Sequence, residues 1–152
     1  MPRDGVLADG VHRFPVRVYY EDTDAAGIVY YANYLKFAER ARTEMMRLFG
    51  VAHEEVRRTE GSVFIVRRAG IEFLAPARLD DELVVETRVK EVGGASITLD
   101  QDIYRDTSAL VRCAILLACI GRHGRPTRIP SALRAALDPR HQNRRMVPAH
   151  AR

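Results

Sequence analysis

The stretch Val16-Arg-Val-Tyr-Tyr-Glu-Asp-Thr-Asp-Ala-Ala-Gly-Ile-Val-Tyr-Tyr-Ala-Asn-Tyr34 changes its hydrophobic period midway, and that change decides the architecture. On its upstream side Phe14, Val16, Val18 and Tyr20 alternate with Arg17 and Tyr19, the two-residue repeat of a half-buried strand. On its downstream side Tyr34, Phe37, Ala38, Ala41, Met45, Leu48 and Phe49 recur at helical spacing, with Lys36, Glu39, Arg40 and Arg47 largely opposite. This pattern predicts a helix over residues 31–49, stopped by Gly50. Such a helix spans about 28 Å, enough to cross a sheet. Between the two periods lies a polar turn, Glu21 to Gly27, in which Glu21, Asp22 and Asp24 crowd together.

Further along, the alternation returns to a period of two. It predicts strands over residues 62–74, 81–92, 95–105 and 109–120, with hairpin turns at Gly93-Gly94 and at Asp106-Thr107-Ser108. The segment 109–120 is apolar on both faces, as a central strand would be. A short helical turn is expected over 53–61, and a short helix over 131–137 capped by Ser131. One helix followed by a run of strands reads as α+β. A single long amphipathic helix among so many strands implies an antiparallel sheet wrapped around it. One helix cannot cover both faces of that sheet, so the uncovered face is expected to meet a second subunit. The organisation expected is a tail over 1–13, one domain over 14–137 and a basic tail over 138–152.

Bulk composition narrows the function classes. The 152 residues are 47% hydrophobic and contain no apolar run long enough to span a bilayer. Met1 to Gly10 carry Arg3, Asp4 and Asp9 and no apolar core, so no secretory signal is read there. The net charge of +4 is concentrated after Arg122, where Arg125, Arg128, Arg134, Arg140, Arg144, Arg145 and Arg152 face one acid, Asp138. Such a basic end suits nucleic acid, anionic lipid or a phosphorylated ligand, although blocks of like charge are usually solvated tails. Cys113 and Cys119 lie on one predicted strand, roughly 20 Å apart at about 3.3 Å per residue. A disulfide needs Cα atoms within about 7 Å, so both read as core thiols of a reducing compartment. No Cys or His spacing suggests a metal site.

Chemistry concentrates at the polar turn. Aspartates favour turns and helix caps, and Asp24 fits that role. A carboxylate beside a helix N-terminus is also the layout of an acyl-transfer site. The free amides of the first turn can polarise a carbonyl oxygen while the carboxylate attacks it or activates water. Gly27, lacking a side chain, allows close backbone approach. The residues alone leave these roles open.

The quoted stretch, continued by Glu39-Arg-Ala-Arg-Thr-Glu-Met45, together with Phe73-Leu-Ala-Pro-Ala-Arg-Leu-Asp-Asp-Glu82, resembles the 4-hydroxybenzoyl-CoA thioesterase-like hot-dog family, most closely its Tol–Pal-associated acyl-CoA thioesterase branch. The resemblance runs from about Phe14 to Leu137. It implies a hot-dog fold assembled as an obligate dimer or a dimer of dimers. The implied activity is hydrolysis of short or medium acyl-CoA, or of acyl-carrier-protein thioesters, with coenzyme A as part of the substrate and no separate cofactor or metal. Asp24 takes the position of the family's catalytic carboxylate, as nucleophile or general base. The backbone N–H of Tyr31 takes that of the oxyanion donor, and Tyr20 matches an active-site tyrosine of the branch. Many branch members carry histidine where this chain has Tyr31, so only a backbone role carries over there. Gly94 and Ser96 stand where relatives approach the CoA nucleotide. That turn lacks the basic residues of some relatives, and Lys90, Arg125 and Arg128 are the candidates to meet the phosphates. The setting expected is cytoplasmic, peripheral at the inner membrane at most, with no nucleic-acid partner. Two alternatives stand beside this reading. One is a non-catalytic scaffold of the cell-envelope Tol–Pal machinery, using the dimer and its basic tail. The other, weaker, is a hot-dog dehydratase, which would normally place a histidine in the site, and none lies near Asp24 in sequence.

Overall fold

Branched and polar residues alternating after residue 80 build the middle of one sheet. Leu83, Val85, Thr87 and Val89 turn inward from β4 (Glu82–Val92), and Ile97, Leu99, Gln101 and Ile103 from β5 (Ser96–Arg105). Val111, Cys113, Ile115, Leu117 and Cys119 do so from β6 (Ser108–Ile120). The structure, a computed structural model, describes residues 1–49 and 61–140. Within them, β1 (Val6–Ala8), β2 (Val11–Arg17) and β3 (Val63–Phe73) complete a six-stranded sheet of order β1-β2-β4-β5-β6-β3, antiparallel throughout. This is the hot-dog arrangement, with helix α1 (Asn33–Leu48) lying on the inner face and the short helix α2 (Ser131–Leu137) against β4. The expected turn over 53–61 and the Gly50 stop lie, apart from Gly61, outside the described residues, as do residues 141–152 of the basic tail.

Helix α1 begins two residues later than its period suggested, because Tyr31 and Ala32 belong to the turn that feeds it. Its buried side is Tyr34, Phe37, Ala38, Ala41, Met45 and Met46, which pack chiefly over β2 and β4. Beneath it runs a polar row across three adjacent strands, His12, Thr87 and Gln101, all buried. Gln101 anchors it, donating to the Ala38 carbonyl and the Thr87 hydroxyl, both at 2.9 Å, and accepting from Arg42 at 2.8 Å. These bonds offset the burial of Thr87 and Gln101, whereas the His12 ring has its Nε2 on the Asp4 carbonyl at 2.9 Å and its Nδ1 buried without a partner among the described residues.

Several expectations need correction. The sheet starts well before residue 14: Val6–Ala8 pairs with β2 through the two-residue turn Asp9-Gly10, both at positive φ (54° and 73°). That is the backbone a tight hairpin demands, and Asp-Gly supplies it. Tyr20 does not extend the strand face; it opens a 3-10 turn, Tyr20–Asp22, and is 82% exposed. Ser131 is the first residue of α2 rather than its cap, a position taken by Pro130 without a side-chain cap bond. Strand β6 is paired on both sides, as expected of a central strand. Only its inner face is buried, however, since Arg112 and Ala114 stand exposed on the outer one. One edge of the sheet is β3, where Ile65, Val66 and Phe73 are 44%, 47% and 50% exposed; the short β1 forms the other. Both cysteines are buried and unbridged, and burial pushes the Cys113 thiol up to about 11.

Candidate active site

The crowded acids of the polar turn divide into two roles. Asp22 is buried, and its carboxylate accepts the Tyr19 N–H at 2.8 Å, so it shapes the chain. Asp24 is exposed and sits near the tip of a small hairpin. The Tyr30 N–H donates to the Asp22 carbonyl (2.9 Å), Thr23 bridges Val29, and the Asp24 N–H donates to the Ile28 carbonyl (2.9 Å). Gly27 closes the tip at φ 77°, donating its N–H to the Asp24 carbonyl at 3.0 Å. Such a φ is readily adopted only without a side chain. One carboxylate oxygen of Asp24 accepts the Ala26 N–H at 2.8 Å, an Asx turn that fixes the carboxylate's rotamer. The turn role and the reactive role are therefore compatible in one residue.

A second loop braces this hairpin. The Ala77 carbonyl accepts the Val29 N–H (2.9 Å), the Ala77 N–H donates to the Tyr34 hydroxyl (3.0 Å), and Ile28 bridges Arg78. Asp81 ties that loop down by accepting from the Arg78 N–H and from Arg105, each at 2.8 Å. Burial opposes ionisation of Asp81, but these hydrogen bonds and the Arg105 charge outweigh it and hold its carboxyl below the usual carboxylate range. This explains the Phe73 to Glu82 block: it is the support of the Asp24 hairpin.

At the start of α1 the Asn33 N–H donates to the Tyr30 carbonyl at 2.8 Å. Among the described residues, the Tyr31 and Ala32 N–H groups make no backbone hydrogen bond. Open amides at a helix start, beside a carboxylate, suit a carbonyl that gains negative charge. An aromatic wall surrounds them: Tyr30 lies 4.8 Å from Tyr31, Tyr31 meets Phe73 edge-on at 6.3 Å, and Phe73 lies 5.9 Å from Tyr34. Tyr30 went unnoticed in the sequence. Its hydroxyl is pushed above the ordinary tyrosine range, first by its hydrogen bond with Tyr31 and in smaller part by the charge of Asp24. Its closeness to Asp24 comes from the hairpin folding back, which no spacing reveals. The Tyr20 side chain points into solvent, while its carbonyl accepts both the N–H and the hydroxyl of Thr23.

The expected nucleotide contacts lie elsewhere in the chain. The β4–β5 hairpin stands at the opposite end of β4, about 35 Å away at roughly 3.3 Å for each of its 11 residues. There Lys90 pairs with Asp100 at 3.6 Å, and the Gly93 N–H donates to the Ser96 carbonyl at 2.8 Å. The Gly94 carbonyl accepts from Arg134 and from the Ile129 N–H, both at 3.0 Å. Arg125 and Arg128 are exposed on the segment leading to α2. Within one chain, Asp24, Gly27 and Tyr31 come together, and Lys90, Gly94, Ser96 and Arg128 gather at the far end. A hollow of about 340 Å³ lies between these ends, under α1 from Glu39 to Met46 and against Phe64, Leu99 and Leu117.

A hot-dog sheet whose Asp24 hairpin runs directly into a helix start with unbonded amides is an arrangement suited to hydrolysis of activated acyl groups. The model of the thioesterase superfamily matches residues 26–112, and the chain belongs to that superfamily. It is 42% identical to the acyl-CoA thioesterase YbgC of Haemophilus influenzae, over 86% of this chain and 96% of that one. To the acyl-CoA thioester hydrolase YbgC of Escherichia coli it is 44% identical, over 71% of this chain and 81% of the relative. The solved structure of a probable thioesterase from Bartonella henselae superposes with a TM-score of 0.76 at 38% identity, covering 79% of this chain and 99% of that one. These relatives carry enzyme names, and they do not favour a non-catalytic scaffold. No helix among the described residues is long and apolar enough to cross a membrane.

Proposed function

We propose that this protein is an acyl-CoA thioesterase whose working carboxylate is Asp24. The observation that carries the reading is the Asp24 hairpin held beside the open Tyr31 and Ala32 amides, in a chain whose relatives are acyl-CoA thioesterases. In the reaction, the thioester carbonyl accepts from the Tyr31 N–H while its carbon is attacked. As nucleophile, Asp24 forms a C–O bond, the C–S bond breaks, and CoA leaves as a thiolate that takes up a proton; water then hydrolyses the resulting anhydride. As general base, Asp24 takes a proton from the water that attacks. Both routes consume one water and release a carboxylic acid and CoA, and neither needs a cofactor or metal.

Short or medium acyl groups suit the space. A chain running along α1 from Tyr31 reaches the hollow at Glu39 after six helical residues from Asn33, about 9 Å at 1.5 Å each. Thioesters of an acyl carrier protein are the alternative donor.

The active form is read as a homodimer or a dimer of dimers, in a cytoplasmic setting. The exposed apolar edge of β3 supports this, since an unpaired edge of that kind invites pairing. Pairing two β3 edges antiparallel about a two-fold axis sets the Gly94, Ser96, Lys90 and Arg128 end of one chain beside the Asp24 end of the other. That arrangement reconciles the two separated groups of residues. A hydrolysis panel over acyl-CoA chain lengths, run on wild type and Asp24→Asn, tests the reading. Release of CoA by wild type and its near absence in the variant is the expected result; full turnover by Asp24→Asn overturns it.

A further inference from the structure

Asn33 is buried at the first position of α1, yet its side chain serves the neighbouring hairpin. Its Nδ2 donates to the Asp22 carbonyl at 2.9 Å. The same carbonyl accepts the Tyr30 N–H, also at 2.9 Å. One oxygen is thus gripped from both sides of the Tyr31-Ala32 pair, whose amides stay open. The hairpin base at Asp22 carries Asp24 two residues on, and the helix start carries Tyr31 two residues back from Asn33. The Asn33–Asp22 bond is a direct link between these elements, independent of the Tyr34–Ala77–Val29 brace.

We propose that Asn33 is a positioning residue that sets the Tyr31 N–H against the Asp24 carboxylate, so that donor and carboxylate act on one carbonyl. This rests on the catalytic reading of Asp24 given above. The geometry favours a positioning role over a merely supporting one. The Asp22 carbonyl stays satisfied by Tyr30 when Asn33 is removed, so the bond's loss frees a position rather than orphaning a buried oxygen.

Two variants test it. Asn33→Ala deletes the donor, and Asn33→Asp replaces it with a carboxylate of the same shape that repels the Asp22 carbonyl. In both, kcat for acyl-CoA hydrolysis is expected to fall about ten- to a hundredfold, the cost of a misplacement near 1 Å. KM should stay within about twofold, since the lost alignment matters in the transition state. The deficit of Asn33→Asp relative to wild type should narrow as pH falls toward about 5, because protonating a carboxyl restores a donor. That of Asn33→Ala should not change with pH. The surrounding Asp22, Asp24, Tyr30 and Tyr34 groups are present in all three proteins, and Asn33→Ala, which adds no charge beside them, is the reference for their shared titration.

Wild-type kcat in Asn33→Ala, with Asp24→Asn inactive, overturns the positioning role and leaves the catalytic reading standing. Activity in Asp24→Asn overturns the catalytic reading itself. Loss of folding in both Asn33 variants, or a kcat loss that follows the melting temperature without the pH response, assigns Asn33 to stability alone and overturns the proposal.

Discussion

The two ends of the sheet each carry a tight glycine-bearing turn, and they differ in what those turns leave unspent. At the β4–β5 hairpin, helix α2 consumes the turn: Arg134 donates to the Gly93 and Gly94 carbonyls at 2.8 and 3.0 Å, and Ile129 donates to Gly94 as well. At the other end the hairpin is closed mainly by its own backbone bonds, with Asn33 gripping the Asp22 carbonyl, and the Asp24 carboxylate stays exposed while the Tyr31 and Ala32 amides keep no backbone partner. Similar turn chemistry therefore makes a structural corner in one place and a candidate reactive one in the other. The difference lies in whether a neighbouring element occupies the polar groups.

Removing the carboxylate tests the comparison most severely. Asp24→Asn keeps the oxygen that accepts the Ala26 N–H, so folding should be unchanged while kcat falls by a factor of about 10² or more. Released thiol and thermal melting would be followed together. Next in size is the union of the two ends across chains. Changing Ile65 and Val66 together to lysine places like charges on the β3 edge, and sedimentation should show monomers with acyl-CoA turnover reduced roughly tenfold or more. A variant that stays fully active as a monomer would break the proposal that both ends serve one site. At the far end alone, Arg134→Ala should loosen the hairpin by roughly 1 kcal/mol and raise KM a few fold with kcat unchanged.

The smallest effect concerns the core beneath α1. Burial lowers the pKa of His12 from 6.5, against weaker raising effects from the Asp4 carbonyl and from Glu44. The folded state therefore binds this proton less readily than the unfolded chain. Stability should fall as pH drops below about 6.5, no more steeply than about 1.4 kcal/mol per pH unit for one proton. His12→Gln keeps a donor for the Asp4 carbonyl and should flatten that slope in denaturant titrations at successive pH values.

Much of this was legible in the chain. The period change around Asp24 announced a strand, a turn and a long helix, and the glycines and alternation after residue 80 announced a meander, because those signals are local. Asp9-Gly10 was legible too. It is a strong hairpin signal, but it is flanked by only three residues of β1 and reads as tail when attention rests on longer runs. The separation of roles between Asp22 and Asp24 was not legible. Both are turn aspartates in sequence, and only burial and the Tyr19 N–H distinguish them. Tyr30 was hidden for a similar reason: its relation to Asp24 depends on a hairpin closing, not on a period.

By itself, then, the sequence determined which elements form and where the carboxylate lies along the chain. Helix and strand periods are written in neighbouring residues, and a resemblance over most of the chain supplied the chemistry. Tertiary structure alone decided what those residues face. The open amides beside Asp24 and the Asn33 grip on Asp22, eleven residues back, arise where the hairpin folds onto the helix start, and the Gly94 turn is set far from Asp24 by the length of β4. Those relations follow from how the hairpin, α1 and the sheet close on one another, and that closure is a property of the whole fold rather than of any local pattern.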